Sequence, residues 1–81
     1  DRRFFLRLSR RRSKDLVESI ISLAHKIGAQ TVAEGIETTD QLDFLREMGC
    51  DLVQGYVFSR PLPIPAFEDW MKNWPGRASD G

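Results

Sequence analysis

The spacing of hydrophobic positions changes several times along this chain, and each change marks an element. Leu16, Val17, Ile20, Ile21, Ala24 and Ile27 recur at intervals of three and four, which predicts a helix over residues 14–27. Ser13 stands where an N-cap hydroxyl would accept from a first-turn amide, and Gly28 where a left-handed residue would end the helix. Two short runs, 30–33 and 51–54, contain Thr31-Val32 and Leu52-Val53 and read as strands. Between them, Thr38 and Gln41 have the spacing of a capping box. Leu42, Leu45 and Met48 form the buried stripe of that second helix, Phe44 flanks it, and Gly49 stops it. Ahead of the first helix, Phe4, Phe5, Leu6 and Leu8 make a short apolar stretch. Residues 56–63 read as an irregular connection, with Pro61, Pro63 and Pro65 delaying the next helix. Phe67, Trp70, Met71 and Trp74 return to helical spacing over residues 66–74, where an aromatic stripe is expected to be core packing. Pro75 closes that helix, and residues 75–81 read as a flexible tail.

The order helix, strand, helix, strand, helix predicts βα units and a parallel sheet. Two strands cannot close such a sheet. The pattern therefore predicts a remainder elsewhere, and an isolated chain that folds poorly, with an open sheet edge and uncovered helix faces.

Composition narrows the chemistry. The chain has 81 residues, room for one small domain with a modest core. Cys50 is the single cysteine and His25 the single histidine, which excludes an internal disulfide and a Cys/His metal cluster. The lone cysteine fits a cytoplasmic setting. No apolar run approaches the ~18 residues of a membrane span, and no signal-peptide pattern surrounds Asp1, whose position reads as a fragment boundary. Net charge is zero, yet seven of the twelve basic side chains fall within the first 14 residues against Asp1 alone. With no aromatic interleaved among Arg10, Arg11, Arg12 and Lys14, that arm reads as a solvated loop and helix entry, and no nucleic-acid partner is expected.

In βα architectures chemistry gathers at the C-terminal ends of strands. Glu34 stands there before Gly35, and Gln54 holds the matching place before Gly55. Each pairs a polar group with a glycine that permits close approach. Glu37 follows in the loop. Spacing alone leaves Glu34 open between a site carboxylate and a helix-entry charge favoured by the macrodipole. His25 reads as a surface helix residue and Cys50 as a buried structural thiol. Arg60 reads equally as a phosphate contact and a solvated loop residue.

Three runs carry a family resemblance. Thr31-Val32-Ala33-Glu34-Gly35-Ile36-Glu37-Thr38 resembles the VAEGVET signature of EAL domains. Gln41-Leu42-Asp43-Phe44-Leu45-Arg46-Glu47-Met48-Gly49-Cys50-Asp51 resembles the family's QLxFLRELGCD helix, and Gln54-Gly55-Tyr56 with Phe58-Ser59-Arg60-Pro61-Leu62-Pro63 its QGYxFSKPLP. Departures are conservative, at Ile36, Met48 and Arg60. Asp1 followed by Phe4 resembles the end of the family's KID…F strand motif, with Asp1 as its strand-end aspartate and its lysine lying before residue 1. The resemblance covers residues 1–74 and implies an α/β fold: the last two to three βα units of a TIM-like (β/α) barrel, about the last third of a domain of roughly 250 residues.

Family enzymes hydrolyse cyclic di-GMP to linear pGpG with two magnesium or manganese ions. By resemblance, Glu34 would contact the second metal or its attacking water, and Asp1 would order that water and the absent lysine. Gln54 would hydrogen-bond within the site, and Glu37 would support the loop after Glu34. Tyr56, Phe58 and Pro61 would shape the wall near the substrate. The family's EAL glutamate, its metal-binding asparagine and glutamate and its paired aspartates are not in this chain. The fragment alone is therefore expected to be inactive. The alternative implied by the family is a catalytically degenerate EAL domain that senses cyclic di-GMP or docks a protein. The family also brings homodimerisation through the complete domain, upstream sensory or GGDEF domains, and a cytoplasmic domain whose parent can be membrane-anchored.

Overall fold

The computed structural model describes residues 2–8, 13–55 and 60–73. Among these residues four strands and three helices follow in the order β1 (Arg3–Arg7), α1 (Lys14–Lys26), β2 (Gln30–Ile36), α2 (Thr39–Met48), β3 (Leu52–Gly55), β4 (Leu62–Pro63) and α3 (Ile64–Asn73). They form one sheet in the order β1-β2-β3-β4. The first three strands are parallel, and β4 runs antiparallel against β3. The α/β alternation is as expected. The strand count is not: the apolar stretch of Phe4, Phe5 and Leu6 is itself a strand, and two residues of the 56–63 connection pair with β3.

The helix boundaries follow their caps. Ser13 Oγ accepts from Leu16 N at 3.1 Å, and α1 runs out into Gly28, whose φ of +76° suits a residue without Cβ. The capping box of Thr38 and Gln41 opens α2, and Gly49 closes it in the left-handed region. Helix α3 begins at Ile64, two residues earlier than predicted. Pro65 does not delay it, because the first turn of a helix needs no N–H from that residue.

One core joins the helices to one face of the sheet. It contains Leu6, Ala33, Ile36 and Val53 from the strands with Val17, Ile21, Leu42, Leu45, Ile64 and Phe67 from the helices. Trp70 and Met71 pack on its edge, in keeping with a structural role for these members of the stripe, while Trp74 lies outside the described residues. The apolar arc of α1 is wider than this core uses. Leu16, Leu23 and Ile27 are exposed, as are Phe4 and Phe5 on β1. Among the described residues no helix is long and apolar enough to cross a membrane. The basic run at 10–12 and the expected tail at 75–81 lie outside the described residues.

Candidate functional site

Strand β2 does not stop at residue 33. It continues to Ile36 through an irregularity between Glu34 and Ile36, where Gly35 takes a φ of +80°. An extra residue in one strand breaks the strict alternation of faces. Ala33 and Ile36, three apart, both reach the helix-side core for this reason. Glu34, between them, alternates to the other face with Val32. A positive φ is cheap for glycine and costly for a residue with Cβ, so Gly35 makes the offset affordable.

Register then brings the two strand-end polar residues together. Glu34 and Gln54 are direct Cα partners across β2 and β3, and Ile36 stands opposite Gly55. Both Glu34 and Gln54 are half-buried. On the other side of β2, Arg7 is the partner of Glu34, and Leu8 N donates to the Glu34 carbonyl at 3.0 Å. Arg7, Glu34 and Gln54 thus form a row across three parallel strands. Arg7 belongs to the basic arm in the sequence, and only pairing with β2 moves it into this row; its alternation with Leu6 and Leu8 is the one local sign. Glu37 is exposed in the connection after β2. Pro61 is half-buried just ahead of β4. Asp1, Tyr56 and Phe58 lie outside the described residues.

The glycine after Gln54 meets a different demand. A Cβ on Gly55 would stand 3.0 Å from Phe67 Cζ. Phe67, on α3, is fully buried and its ring lies 5.5 Å from that of Trp70. Helix α3 can close on the end of β3 because residue 55 carries no side chain.

A second polar cluster occupies the opposite end of the same strands. Asp51 Oδ2 accepts from Thr31 N at 2.8 Å and from Thr31 Oγ1 at 3.0 Å, and lies 2.7 Å from His25 Nε2. His25 is a surface residue as expected, but it is bonded across to the start of β3. Burial works against the Asp51 charge. The hydrogen bonds from Thr31 N, His25 and Thr31 Oγ1 outweigh it and hold the carboxyl below its ordinary range. Cys50 beside it is buried, its thiol pushed up by that burial, and Sγ donates to Leu52 O at 3.3 Å. An inert structural thiol is what this describes. Placement at the N-terminal end of parallel strands suits stability rather than chemistry.

A carboxylate whose folded-state pKa is depressed contributes stability above its unfolded pKa and loses it as pH falls through the folded value. Asp51→Asn in the full-length parent should therefore cost about 1.5–3 kcal/mol near pH 7, the range for hydrogen bonds to a charged group. The gap between parent and variant should narrow below about pH 4, near the ordinary carboxyl range. Urea midpoints compared between pH 7 and pH 3 would show this; a gap constant across that window would remove the ionised carboxylate from the explanation.

Chemically, the Glu34–Gln54 pair offers a carboxylate that only accepts, beside an amide that both donates and accepts. Among the described residues no cluster of three or more His, Cys, Asp or Glu could hold a metal ion. The pair by itself is not a metal cage.

Comparison with known proteins places this geometry in a family. The EAL domain family matches residues 1–61. The cyclic di-GMP phosphodiesterase NbdA of Pseudomonas aeruginosa is 47% identical over 73 residues, covering 89% of this chain and 9% of that protein. The cyclic di-GMP phosphodiesterase RocR of the same organism is 41% identical over 59 residues, covering 73% of this chain and 15% of RocR. Among solved structures, the EAL enzyme Bd1971 in its cAMP- and cyclic-di-GMP-bound form superposes with a TM-score of 0.56 at 35% identity, over 84% of this chain and 20% of that one. The chain thus spans about a tenth to a fifth of the length of these relatives. With the family matched over residues 1–61, the chain belongs to the EAL domain family.

Proposed function

We propose that this chain is the C-terminal part of an EAL domain, the closing βα units of a TIM-like barrel, whose parent hydrolyses cyclic di-GMP to linear pGpG. The observation that carries this reading is the direct pairing of Glu34 with Gln54 at the C-terminal ends of adjacent parallel strands, away from the helices. That is the end at which barrel enzymes assemble their sites. The names of NbdA and RocR supply the substrate.

Two divalent ions, when bound, would activate a water and stabilise charge on the phosphoryl oxygens. The described residues do not form a complete metal site, so no step is assigned to a metal held by this chain alone. What this chain contributes is a half-buried carboxylate at Glu34, set by the Gly35 bulge, and the Gln54 amide beside it to fix the orientation of whatever Glu34 holds. Glu37, two residues past the bulge, supports the connection. Asp1 would order the same water, and Tyr56, Phe58 and Pro61 would line the substrate wall.

The test is hydrolysis of cyclic di-GMP by the full-length parent with magnesium or manganese, product identified as pGpG by chromatography. Turnover to pGpG is expected. Binding of cyclic di-GMP without turnover would replace this reading with a sensor, and neither binding nor turnover would remove cyclic di-GMP from it.

A further inference from the structure

The connection that carries Glu34 into α2 is two residues long, Glu37 and Thr38, between the end of β2 at Ile36 and the start of α2 at Thr39. A free two-residue loop would leave two amides without partners. Here a single side-chain oxygen takes both. Gln41 Oε1 accepts from Glu37 N at 2.6 Å and from Thr38 N at 3.0 Å. A capping box needs only the bond to the N-cap amide. The shorter bond, to Glu37, lies outside the helix altogether. It ties down the residue between the buried Ile36 and the cap.

Glu34 is consequently fixed from both sides. Upstream, its strand pairs with β1 and β3 and its carbonyl accepts from Leu8 N. Downstream, Gly35 is the one residue before Ile36 at a φ that allows the chain to swing, Ile36 is 5% exposed in the core, and Gln41 holds the next two amides. Without Gln41 the segment after the bulge would keep Ile36 as an anchor but lose the bonds that set its direction.

We infer that Gln41 is a positioning residue for Glu34 and Glu37, acting through the backbone of the β2–α2 connection, and not only a helix cap. The inference rests on the role proposed for Glu34. Misplacing a reacting group by about 1 Å can cost up to a hundredfold in rate, whereas loss of a cap by itself acts through stability.

Thr38→Ala supplies the comparison. It removes the other half of the capping box, the bond from Gln41 N to Thr38 Oγ1 at 3.2 Å, and leaves both acceptor contacts of Gln41 in place. In the full-length parent, assayed at a temperature where both variants are folded by circular dichroism, Gln41→Ala should lower kcat for cyclic-di-GMP hydrolysis by about ten- to a hundredfold with KM little changed. Thr38→Ala should keep kcat within about threefold, since it disturbs the cap and not the connection. Gln41→Glu, which restores an acceptor at the same reach, should recover most of the loss. Should Gln41→Ala not fold, Gln41→Met keeps the stem, removes the acceptor and takes its place. Equal kcat losses in Gln41→Ala and Thr38→Ala, or no recovery in Gln41→Glu, would overturn the inference. Glu34→Gln run in parallel separates the two readings. If it is inactive while Gln41→Ala is fully active, only the positioning role fails; if it is fully active, the role of Glu34 fails first.

Discussion

Glu34→Gln in the full-length parent should lower cyclic-di-GMP turnover by about two to four powers of ten, the range for a positioned acid–base or water-holding group. The substitution keeps the shape of the side chain and its ability to accept a hydrogen bond, and it removes the negative charge. Glu34 is half-buried on a bulge whose geometry belongs to Gly35 and Ile36, so the amide should occupy the same place without disturbing the fold. A loss confined to the charge-dependent step lowers kcat and leaves KM near the parental value. Glu37→Gln should cost less, because Glu37 is exposed and its backbone, not its side chain, is what Gln41 binds. Steady-state hydrolysis with magnesium or manganese, beside a circular dichroism spectrum of each variant, decides the matter. Near-parental turnover in Glu34→Gln would end the role proposed for it, even with the family membership intact.

The largest stability effect is expected at Phe67. Its side chain is 1% exposed, seated against Gly55 and beside Trp70 in the common core. Phe67→Ala removes that ring and leaves a cavity between α3 and the end of β3, which should cost about 3–5 kcal/mol. Ile64 also anchors α3 in that core, with Trp70 and Met71 packed at its edge. The ion pair of Arg46 with Glu68 at 2.9 Å joins α2 to α3, but both side chains are at least 36% exposed. Such a pair contributes about 0–1 kcal/mol, so Glu68→Ala should barely move the unfolding midpoint. Denaturant unfolding of the parent and both variants measures the contrast. A loss at Phe67 below about 1.5 kcal/mol, typical of a tolerated core swap, would mean that α3 is held elsewhere.

Much of this was legible one residue at a time. The N-cap at Ser13, the box of Thr38 with Gln41 and the glycine stops at 28 and 49 were readable because each depends on bonds within a few residues. Periodicity placed α1 and α2 to within about a residue for the same reason. The family signatures pointed to Glu34 and Gln54 before any fold was known. Local pattern failed where a distant strand makes the choice. Residues 3–7 read as a mere apolar stretch because β1 is a strand only by pairing with β2, some 27 positions away. The two residues of β4 carry no strand signature and are extended only against β3.

The continuation of β2 past residue 33 is of the same kind. Gly35 looks like a turn residue in isolation. In the fold it is a bulge, because Gly55 on the neighbouring strand accepts Ile36 as its partner and the core takes the Ile36 side chain. The bond from His25 to Asp51 likewise joins positions 26 residues apart. From the sequence alone came the three helices, the two central strands, the helix caps and the family, since those rest on side-chain chemistry and spacing within one or two turns of chain. Only the tertiary structure decided strand register, the face on which Glu34 lies and the closeness of Glu34 to Gln54. Backbone hydrogen bonds between strands and burial against shared helices set those quantities, and neither has a local signature in the chain.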